Sequence, residues 1–508
     1  MCALACLIGL DIGTSALKAV AFDERGRTAA ERTAVYATQY PGPGQAEQRP
    51  EDWWNAACRC LRGLFDDGGV DPAQVAAVGV DGMSWSFAAL GRDGTALCPT
   101  PIWMDTRAQA QCAALERTYG AGALLRLSGN TLRPNFSLPK WLWLREQAPA
   151  LADRCAVLLE SNGFLVYRLT GRTSAEPTQG FGWACFDMER GCWDGALARD
   201  LGVDRLLPPL AACDSVVGGV TPEAACATGL LAGTPVVAGG LDTACGTLAA
   251  GVVSFGQVQE QGGQSGGIAV YTDRYAPQPP LILARHVLPE GYLPCPATVA
   301  GAASYAWFER EFGAPERLLA SDGQSSFAHL DALASAVPAG SEGLLFLPYL
   351  AGERAPIWDP DAKGMFFGLD FQKTRGHFAR AVLEGVAYSL RHIIETTESV
   401  GVRVDELLSV GGAARSPVWM QIKADVTGKP LRTRRGNVGS ALGAAMCAGV
   451  GIGLYADYPA AAAAVETAGT RYRPDAARHE RYNAYYPIYK SLYGQTRESM
   501  KALSGLGR

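Results

Sequence analysis

The sequence predicts an α/β protein with two large domains, and three observations support this prediction. Segments typical of strands alternate with segments of helical periodicity along the chain. The length of 508 residues exceeds what one hydrophobic core normally organises. Near the start of each half, an apolar strand, a glycine and hydroxyl turn, a second apolar strand and an acidic turn follow one another. We therefore expect a duplicated architecture with a boundary near residue 250.

The predicted elements follow in order along the first half. Residues 7–13 and 18–26 have the pattern of two strands joined by a turn. A helix is predicted where Pro50 precedes apolar residues at helical spacing. The later segments of this half are a strand, irregular segment and second strand over 75–94, a helix over 138–155, and a strand, glycine turn and helix over 234–253.

The second half continues the alternation of strands and helices. Its first segment, residues 256–273, is a strand, a glycine turn and a strand, and repeats the plan of the chain's opening. The remaining predictions are strands within 342–350 and 406–414, helices over 377–401 and 417–428, and a helical packing face of tyrosines between 482 and 493.

The composition describes an ordinary globular protein and excludes several classes of partner. Hydrophobic residues make up 48%, charged residues 19%, and the formal net charge is −5. This acidic balance without a basic patch argues against nucleic acid or an anionic membrane as partner. The apolar start has no positive n-region, and no stretch approaches the roughly 20 apolar residues of a membrane span. We expect a cytoplasmic protein whose 14 cysteines are reduced.

Asp11 ends an apolar run and is followed by Gly13, Thr14 and Ser15, with Lys18 beginning the next strand. Glycine turns free backbone N–H groups that bind phosphate, but an adjacent carboxylate would repel a phosphate chain directly. The arrangement makes sense with a cation between them, and Mg²⁺ takes one or two carboxylates together with phosphate oxygens. The alternative is a strand that simply ends in a turn.

Asp242 is a second candidate, since two glycines precede it and small residues follow it. All five histidines lie at residue 286 or beyond, so chemistry in the first 285 residues proceeds without imidazole. A carboxylate at this position suits a general base that accepts a proton from an attacking hydroxyl. A helix N-cap is an equally good interpretation from the residues alone.

Seven motifs follow one another in the order found in the FGGY carbohydrate kinases. The chain resembles that family over essentially its whole length. The motifs are LDIGTSALKAVAFD, AEQRPEDWW, IWMDTRA, PKWLWLRE, GGLDTACG, LPYLAGERAPIWDPDAKGMFFGL and VGGAARSPVWMQIKADVTG. Residues 364–384 match a long signature of that family. The resemblance implies a two-domain actin-like ATPase (ribonuclease H-like) fold, duplicated, with a cleft between a sugar-binding domain (1–250) and a nucleotide-binding domain (251–508).

The resemblance also implies roles for individual residues. Asp242 would be the catalytic base, and Asp11 would hold Mg²⁺. The ATP-binding residues would be Gly13, Thr14, Ser15 and Lys18, the second phosphate loop Gly263, Gln264 and Ser265, and the adenine border Gly411, Gly412 and Ala413. Gln264 stands where the family commonly has Thr, which removes a hydroxyl from the second loop.

Within that family, the chain length and the residues of the motifs are most similar to those of xylulokinases. The expected substrate-binding residues are Met83, Ser84, Trp85, Trp103 and Asp105, together with Asp242. Xylulokinases usually carry Met-His-Gly where this chain has residues 83–85, so the expected histidine is absent. Trp85 suits either a wall against an apolar sugar face or a core aromatic. Asn135 lies where glycerol kinases have a Tyr.

We therefore expect an ATP- and Mg²⁺-dependent kinase that converts D-xylulose to D-xylulose 5-phosphate. The alternatives are a kinase for another sugar, a polyol or an aldonate such as gluconate, and a non-catalytic actin-like switch that binds nucleotide and sugar. The two acids, Asp11 and Asp242, favour an enzyme, because a binding protein needs no base. A homodimer is allowed but not required by the sequence.

Overall fold

Two sheets, each in its own unit of the chain, organise the fold. The computed structural model describes residues 6–279, 281–299, 301–320, 325–434, 439–465 and 469–506. The first unit comprises the described residues within Met1–Val253, Asp273–Leu293 and Gly436–Thr467. The second comprises those within Ser254–Thr272, Pro294–Arg435 and Ala468–Arg508.

The described strands are β1 (Cys6–Ile12), β2 (Ala16–Phe22), β3 (Thr28–Val35), β4 (Glu47–Gln48), β5 (Val75–Gly82), β6 (Phe87–Leu90), β7 (Thr100–Pro101), β8 (Val157–Glu160), β9 (Phe186–Asp187), β10 (Cys192–Trp193), β11 (Val216–Gly219), β12 (Pro235–Val237), β13 (Gly240–Leu241), β14 (Gln257–Gln261), β15 (Ile268–Val270), β16 (Leu283–Arg285), β17 (Tyr292–Pro294), β18 (Leu345–Leu347), β19 (Met365–Phe367), β20 (Glu406–Val410), β21 (Leu431–Thr433) and β22 (Arg471–Tyr472).

The described α-helices are α1 (Pro50–Asp66), α2 (Gln109–Tyr119), α3 (Ala121–Ser128), α4 (Ser137–Gln147), α5 (Pro149–Ala152), α6 (Ser161–Thr170), α7 (Gly195–Asp200), α8 (Pro222–Thr228), α9 (Asp242–Ala249), α10 (Ala302–Phe312), α11 (Ala314–Leu319), α12 (Ser326–Ser335), α13 (Arg375–Ser399), α14 (Pro417–Thr427), α15 (Ser440–Gly451), α16 (Tyr458–Ala464) and α17 (Ala476–Leu506).

The sheet of the first unit has the order β11-β12-β5-β1-β2-β3, and β13 also pairs with β5. The hairpin β1–β2 and the pair β2–β3 are antiparallel, whereas β1, β12 and β13 each run parallel to β5. Parallel neighbours present their carboxyl ends at one edge, which is where open α/β sheets bind ligands.

Helix α15 packs unusually close to this sheet. A Cβ placed on Gly9 of β1 would lie 1.8 Å from the carbonyl oxygen of Ala441, and one on Gly79 of β5 would lie 1.9 Å from that of Ala444. Only residues without a side chain permit this approach of helix backbone to strand backbone. The glycines therefore bring the first residue of α15, Ser440, to the carboxyl ends of β1 and β5.

The second unit repeats part of this plan. Its sheet has the order β15-β14-β20-β21-β22, with β14 and β15 antiparallel and β14 and β20 parallel. Its longest buried helix is α13, which begins with a capping box between Thr374 and His377. The tyrosines predicted as a packing face do pack there, since Tyr482 and Tyr489 of α17 are fully buried and contact Tyr388.

Most of the elements predicted from the sequence are confirmed. They include β1, β2, α1, β5, β14, β15, α13, β20 and α14. One prediction is wrong in part: the helix expected over 138–155 is two helices, α4 and α5. The second begins at Pro149, whose ring fits the first position of a helix but not its interior.

Two global findings concern the described residues alone. None of the helices in these ranges combines the length and the apolar character that crossing a membrane requires. The thirteen cysteines within the described ranges are all free.

The close packing of α15 makes Gly79→Ala a test of this fold. The added methyl group would collide with the carbonyl of Ala444, and overpacking of this kind costs about 1–3 kcal/mol. We expect a clear decrease of the melting temperature, measured by calorimetry.

Gly494→Ala is the matched control, because nothing lies within 4 Å of a Cβ at that exposed position of α17. Alanine favours a helix over glycine by about 1 kcal/mol, so this variant should be as stable as the wild type or more stable. Equal melting temperatures for Gly79→Ala and the wild type would contradict the close helix–sheet contact.

Candidate active site

Three aspartates stand at the carboxyl ends of neighbouring strands in the first unit. The parallel pairing of β1 with β5 places Asp11 opposite Asp81. The parallel pairing of β13 with β5 places Gly240 opposite Asp81, and Asp242 follows as the first residue of α9. The charges of Asp11 and Asp242 both act on Asp81, so the three carboxylates form one cluster.

The surroundings of this cluster disfavour the ionisation of its carboxylates. Asp81 is fully buried, and neither of its carboxylate oxygens makes a hydrogen bond of good geometry among the described residues, although Asp11 and Ser440 lie close enough to influence its pKa. Burial, reinforced by the charges of Asp11 and Asp242, raises its pKa well above the usual value. Burial also raises the pKa of Asp11. Hydrogen bonds with Asp81 and Ser440 and the charge of Lys18 oppose that rise. A bound cation would stabilise the ionised carboxylates here.

The described residues contain no group of three or more His, Cys, Asp or Glu arranged to hold a metal by themselves. Mg²⁺ does not need such a group, because it is usually held by one or two carboxylates with waters and substrate phosphates. The unpartnered oxygens of Asp81 beside Asp11 therefore fit a magnesium ion that shares its coordination with a phosphate.

Asp242 has the geometry of a proton acceptor. Its Oδ1 accepts hydrogen bonds from the backbone N–H of Thr243 at 2.5 Å and from the Thr243 hydroxyl at 3.1 Å. Its Oδ2 accepts none from the described residues, and the side chain is partly exposed. Burial raises the pKa of Asp242 to about 6, the charge of Asp11 adds to this, and the Thr243 hydrogen bonds oppose it. The residue at the N-cap is Leu241, so the N-cap interpretation of Asp242 is wrong.

The turn after β1 presents free backbone donors. The N–H of Gly13 is used within the turn, where it donates to the carbonyl of Ala16 at 3.0 Å. The N–H groups of Thr14 and Ser15 have no acceptor among the described residues, and Ser15 is exposed. The Tyr36 hydroxyl donates to the Gly13 carbonyl and fixes the turn from behind. Such a turn suits an anion.

Lys18 lies on β2 directly opposite Asp11. Its ammonium pairs with the carboxylate of Glu31 at 3.2 Å. The cation that the sequence suggests for phosphate binding is thus engaged by a strand neighbour, while its charge still acts on Asp11.

The predicted sugar segment follows β5 and is irregular. Met83 is buried, Ser84 is partly exposed, and Trp85 has a positive φ of 51°. The Trp85 ring lies 4.7 Å from the ring of Phe136 and 5.5 Å from that of Phe181, measured between centroids. Of these three residues, Ser84 is therefore the one whose side chain is open to a ligand.

Trp103 connects this segment to the first turn. Its backbone N–H donates to the Ser86 hydroxyl at 3.2 Å, and its indole N–H donates to the Thr14 hydroxyl at 2.9 Å. Its carbonyl accepts from the Asn135 amide at 3.0 Å. The predicted sugar residue Trp103 and the predicted phosphate residue Thr14 are thus in direct contact.

Asp105 is engaged within the protein. Its side chain is fully buried, and both of its oxygens accept hydrogen bonds from Arg107 at 2.6–2.9 Å. The backbone N–H of Ala46 donates to the same carboxylate at 2.8 Å. This carboxylate therefore orders the segment around Trp103 and has no exposed oxygen for a sugar hydroxyl.

Two adjacent turns of the second unit present backbone to solvent. The N–H groups of residues 263–266 have no acceptor among the described residues, and Gln264 is exposed. Gly411 has a φ of 91° and contacts Gly262, and the Ala413 N–H donates to the Gly262 carbonyl at 3.1 Å. Gly412 is exposed and has open space where a side chain would be. Both turns of the predicted nucleotide side therefore lie together.

Three functional candidates did not emerge from the sequence: Asp81, Lys140 and Glu160. Asp81 carried one signal, since it interrupts the apolar run of β5 between Val80 and Gly82. Lys140 likewise interrupts an apolar helical stretch. Only the tertiary structure shows that Asp81 joins Asp11 and that Lys140 contacts the segment carrying Trp85.

Comparison with known proteins identifies both halves of the chain. Residues 6–249 match the N-terminal domain of the FGGY family of carbohydrate kinases, and residues 276–452 match its C-terminal domain. The xylulose kinase of Bacillus subtilis is 31% identical over 500 residues, which covers 98% of each chain.

Solved structures show the same fold. The crystal structure of xylulose kinase from Rhodospirillum rubrum superposes with a TM-score of 0.87 at 31% identity, over 97% of this chain and 99% of that chain. That of gluconate kinase from Lactobacillus acidophilus gives 0.87 at 24% identity, over 98% and 100%. The fold class predicted from the sequence is confirmed.

The raised pKa of Asp242 predicts an unusual effect of Asp242→Asn on stability. An ionised Asp242 destabilises the folded state, and this penalty is absent below pH 4 and complete above about pH 6. In buffer without divalent cations, the variant should melt about 2–4 °C above the wild type at pH 8, which corresponds to about 1 kcal/mol in a unit of this size. The difference should disappear as the pH falls from 6 to 4.

Asp194→Asn is the control, because Asp194 caps α7 and asparagine caps helices equally well. Its melting temperature should follow that of the wild type at each pH. A lower melting temperature for Asp242→Asn at pH 8 would show that the carboxylate is a stabilising structural group.

Proposed function

The chain belongs to the FGGY family of carbohydrate kinases, and from this premise we propose that it transfers the γ-phosphate of ATP to D-xylulose. ATP-dependent phosphorylation of a sugar is the activity of the family. The choice of D-xylulose is supported by relatives such as the Bacillus subtilis protein, a xylulose kinase 31% identical over nearly the whole of both chains.

The observation that carries the proposal is the carboxylate of Asp242 beside Asp11 and Asp81. Its free Oδ2 can accept a proton from a sugar hydroxyl, and a pKa of about 6 leaves it ionised at neutral pH yet basic enough to be useful. No histidine lies among the first 285 residues to take that role. In this proposal Asp242 removes the hydroxyl proton as the hydroxyl oxygen attacks phosphorus.

Asp11 is proposed to hold Mg²⁺, with Asp81 beside it as a second source of negative charge. The metal, when bound, would neutralise charge on the phosphates of ATP. The free N–H groups of Thr14 and Ser15 would bind phosphate oxygens after the turn at Gly13. Lys18, which pairs with Glu31, would contribute its charge without direct contact.

Two turns of the second unit are proposed to bind nucleotide. The free N–H groups of Gly263, Gln264 and Ser265 are donors for phosphate and need no side-chain hydroxyl at position 264. The bare backbone of Gly411 and Gly412, with the small Ala413, would allow the flat adenine ring to approach closely.

Ser84 and Trp103 are proposed to contact the sugar, since both are partly exposed. Ser84 can donate and accept a hydrogen bond, as a sugar hydroxyl requires, and Trp103 can cover an apolar sugar face. Met83, Trp85 and Asp105 would shape this region from beneath, because all three are buried.

An acceptor screen tests the function directly. The purified protein with ATP and Mg²⁺ should release ADP fastest with D-xylulose, in a coupled assay across ketopentoses, polyols and aldonates. The formation of D-xylulose 5-phosphate should be verified by mass spectrometry. Faster turnover with a polyol or with gluconate would replace D-xylulose as substrate, and ADP release that no acceptor stimulates would favour a nucleotide switch.

Asp242→Asn should lower kcat by about 10²–10⁴, the usual effect of losing a general base, while ATP still binds. Asp194→Asn should retain the wild-type kcat, because its residue only caps α7. Nucleotide affinity is measured by calorimetric titration in parallel with turnover.

Asp11→Ala provides the contrast between the two acids. Asp11→Ala is expected to bind Mg²⁺ more weakly. The Mg²⁺ concentration for half-maximal turnover should therefore increase, while acceptor binding without nucleotide persists. Near-normal turnover in Asp242→Asn would overturn its role as base. A collapse of acceptor affinity in Asp11→Ala with unchanged metal dependence would exchange the two roles.

A further inference from the structure

A lysine is completely buried next to the proposed sugar residues. Lys140 lies in the first turn of α4 and has no exposed surface. Its ammonium donates to the backbone carbonyls of Trp85 at 2.5 Å, Pro101 at 2.7 Å and Ile102 at 2.8 Å. The three N–H donors of the ammonium are thus matched by three acceptors, which a neutral amine could not satisfy.

These carbonyls belong to two separate chain segments that carry the proposed sugar contacts. Trp85 follows Ser84 directly, and Ile102 precedes Trp103. Lys140 therefore ties the segment after β5 to the segment after β7 at the two positions adjacent to the exposed side chains. Neither segment is regular at this point, so no ladder of backbone hydrogen bonds fixes the distance between them.

Side chains complete the connection between the two segments. The Ser86 hydroxyl donates to the carbonyl of Ser84 at 2.9 Å and accepts from the N–H of Trp103 at 3.2 Å. The carboxylate of Glu160 accepts from the N–H of Ser86 at 2.9 Å and from the hydroxyl of Ser137 at 2.5 Å. Ser84 and Trp103 are therefore held by one buried polar network.

The charges of Lys140 and Glu160 influence each other. Burial lowers the pKa of Lys140 and raises that of Glu160, and the charge of each opposes the shift of the other. A buried charged group of this kind contributes little net stability, because desolvation offsets most of the attraction. The same ammonium holds the carbonyl of Trp85, a residue whose backbone is strained at a φ of 51°.

We propose that Lys140 is a positioning residue that sets the distance between Ser84 and Trp103, and thereby the affinity for the sugar acceptor. The proposal rests on the assignment of these two residues to the sugar site. Lys140 itself is enclosed by protein and would contact neither substrate. Its loss would let the two segments separate, which weakens acceptor binding more than nucleotide binding.

The test compares Lys140→Met with a matched loss of a buried cation elsewhere. Arg380 is buried in the second unit, where it bonds to Glu384 at 2.7 Å and to the Tyr482 hydroxyl at 2.8 Å. For the wild type, Lys140→Met, Lys140→Gln and Arg380→Met, the measurements are melting temperature, kcat, and KM for ATP and for the best acceptor of the screen.

Lys140→Met should raise the acceptor KM about 10- to 100-fold, the size of effect expected from a small misplacement of binding groups. The KM for ATP should change much less than the acceptor KM. Trp103 contacts only the hydroxyl of Thr14, whereas the N–H groups proposed to bind phosphate belong to a turn that Gly13 and Tyr36 hold independently. Lys140→Gln keeps an amide donor and should give an intermediate acceptor KM. Arg380→Met should lower the melting temperature and leave the acceptor KM unchanged.

Hydrogen–deuterium exchange supplies a second readout that does not depend on the acceptor's identity. In Lys140→Met, peptides covering residues 83–90 and 100–107 should exchange faster, while those covering β1 and β2 stay protected. An unchanged acceptor KM, or an exchange increase spread over the whole first unit, would overturn the proposal. If the screen finds no acceptor, the proposed function fails, and the exchange pattern still decides whether Lys140 joins the two segments.

Discussion

The parallel pairing of β1 with β5, which places Asp11 opposite Asp81, is the constraint on which the site depends. Two carboxylates on adjacent strands repel each other, and each is further penalised by burial. Asp242 adds a third charge at the same edge, which raises the pKa of Asp81 further, and the charge of Asp11 contributes to the raised pKa of Asp242. Such a cluster is costly without a ligand and is stabilised by a cation, so it is better explained by function than by stability.

The second unit also has a pair of parallel strands with an acidic residue near their carboxyl ends, but there the acidic charge is paired. The parallel pairing of β14 with β20 places Glu260 opposite Ser409, whose hydroxyl donates to the Glu260 carboxylate. Lys423 of α14 pairs with the same carboxylate at 2.6 Å, both side chains being buried. The charge at this strand end is therefore neutralised within the protein. The groups of the second unit that remain available to a ligand are backbone groups of the turns at 263–266 and 411–413.

Local sequence signals were sufficient for some features and not for others. The strands β1 and β2 and the turn at Gly13 were predictable because hydrophobic pattern and turn chemistry are local. Asp242 was recognisable as unusual, but only the structure excludes the N-cap interpretation. The pairing of Asp11 with Asp81 and the packing of Ser440 beside them join residues 70 to more than 400 positions apart, which no local pattern encodes. The hydrogen bond from the Ala46 N–H to Asp105 is likewise a long-range contact. Arg107 is only two residues from Asp105, but the sequence does not show that its guanidinium engages both carboxylate oxygens.

In the proposed sugar site, enclosed and exposed polar side chains have different roles. Ser84 and Trp103, the residues proposed to contact the sugar, are partly exposed. Lys140 and Glu160 near them are enclosed and hydrogen-bonded. Substituting an exposed side chain changes what the site can recognise at little cost to the fold. Substituting an enclosed one leaves a partner charge or carbonyl unsatisfied, which is expensive wherever water is excluded. Acceptor choice can therefore diverge at position 84 while the network that places it stays fixed.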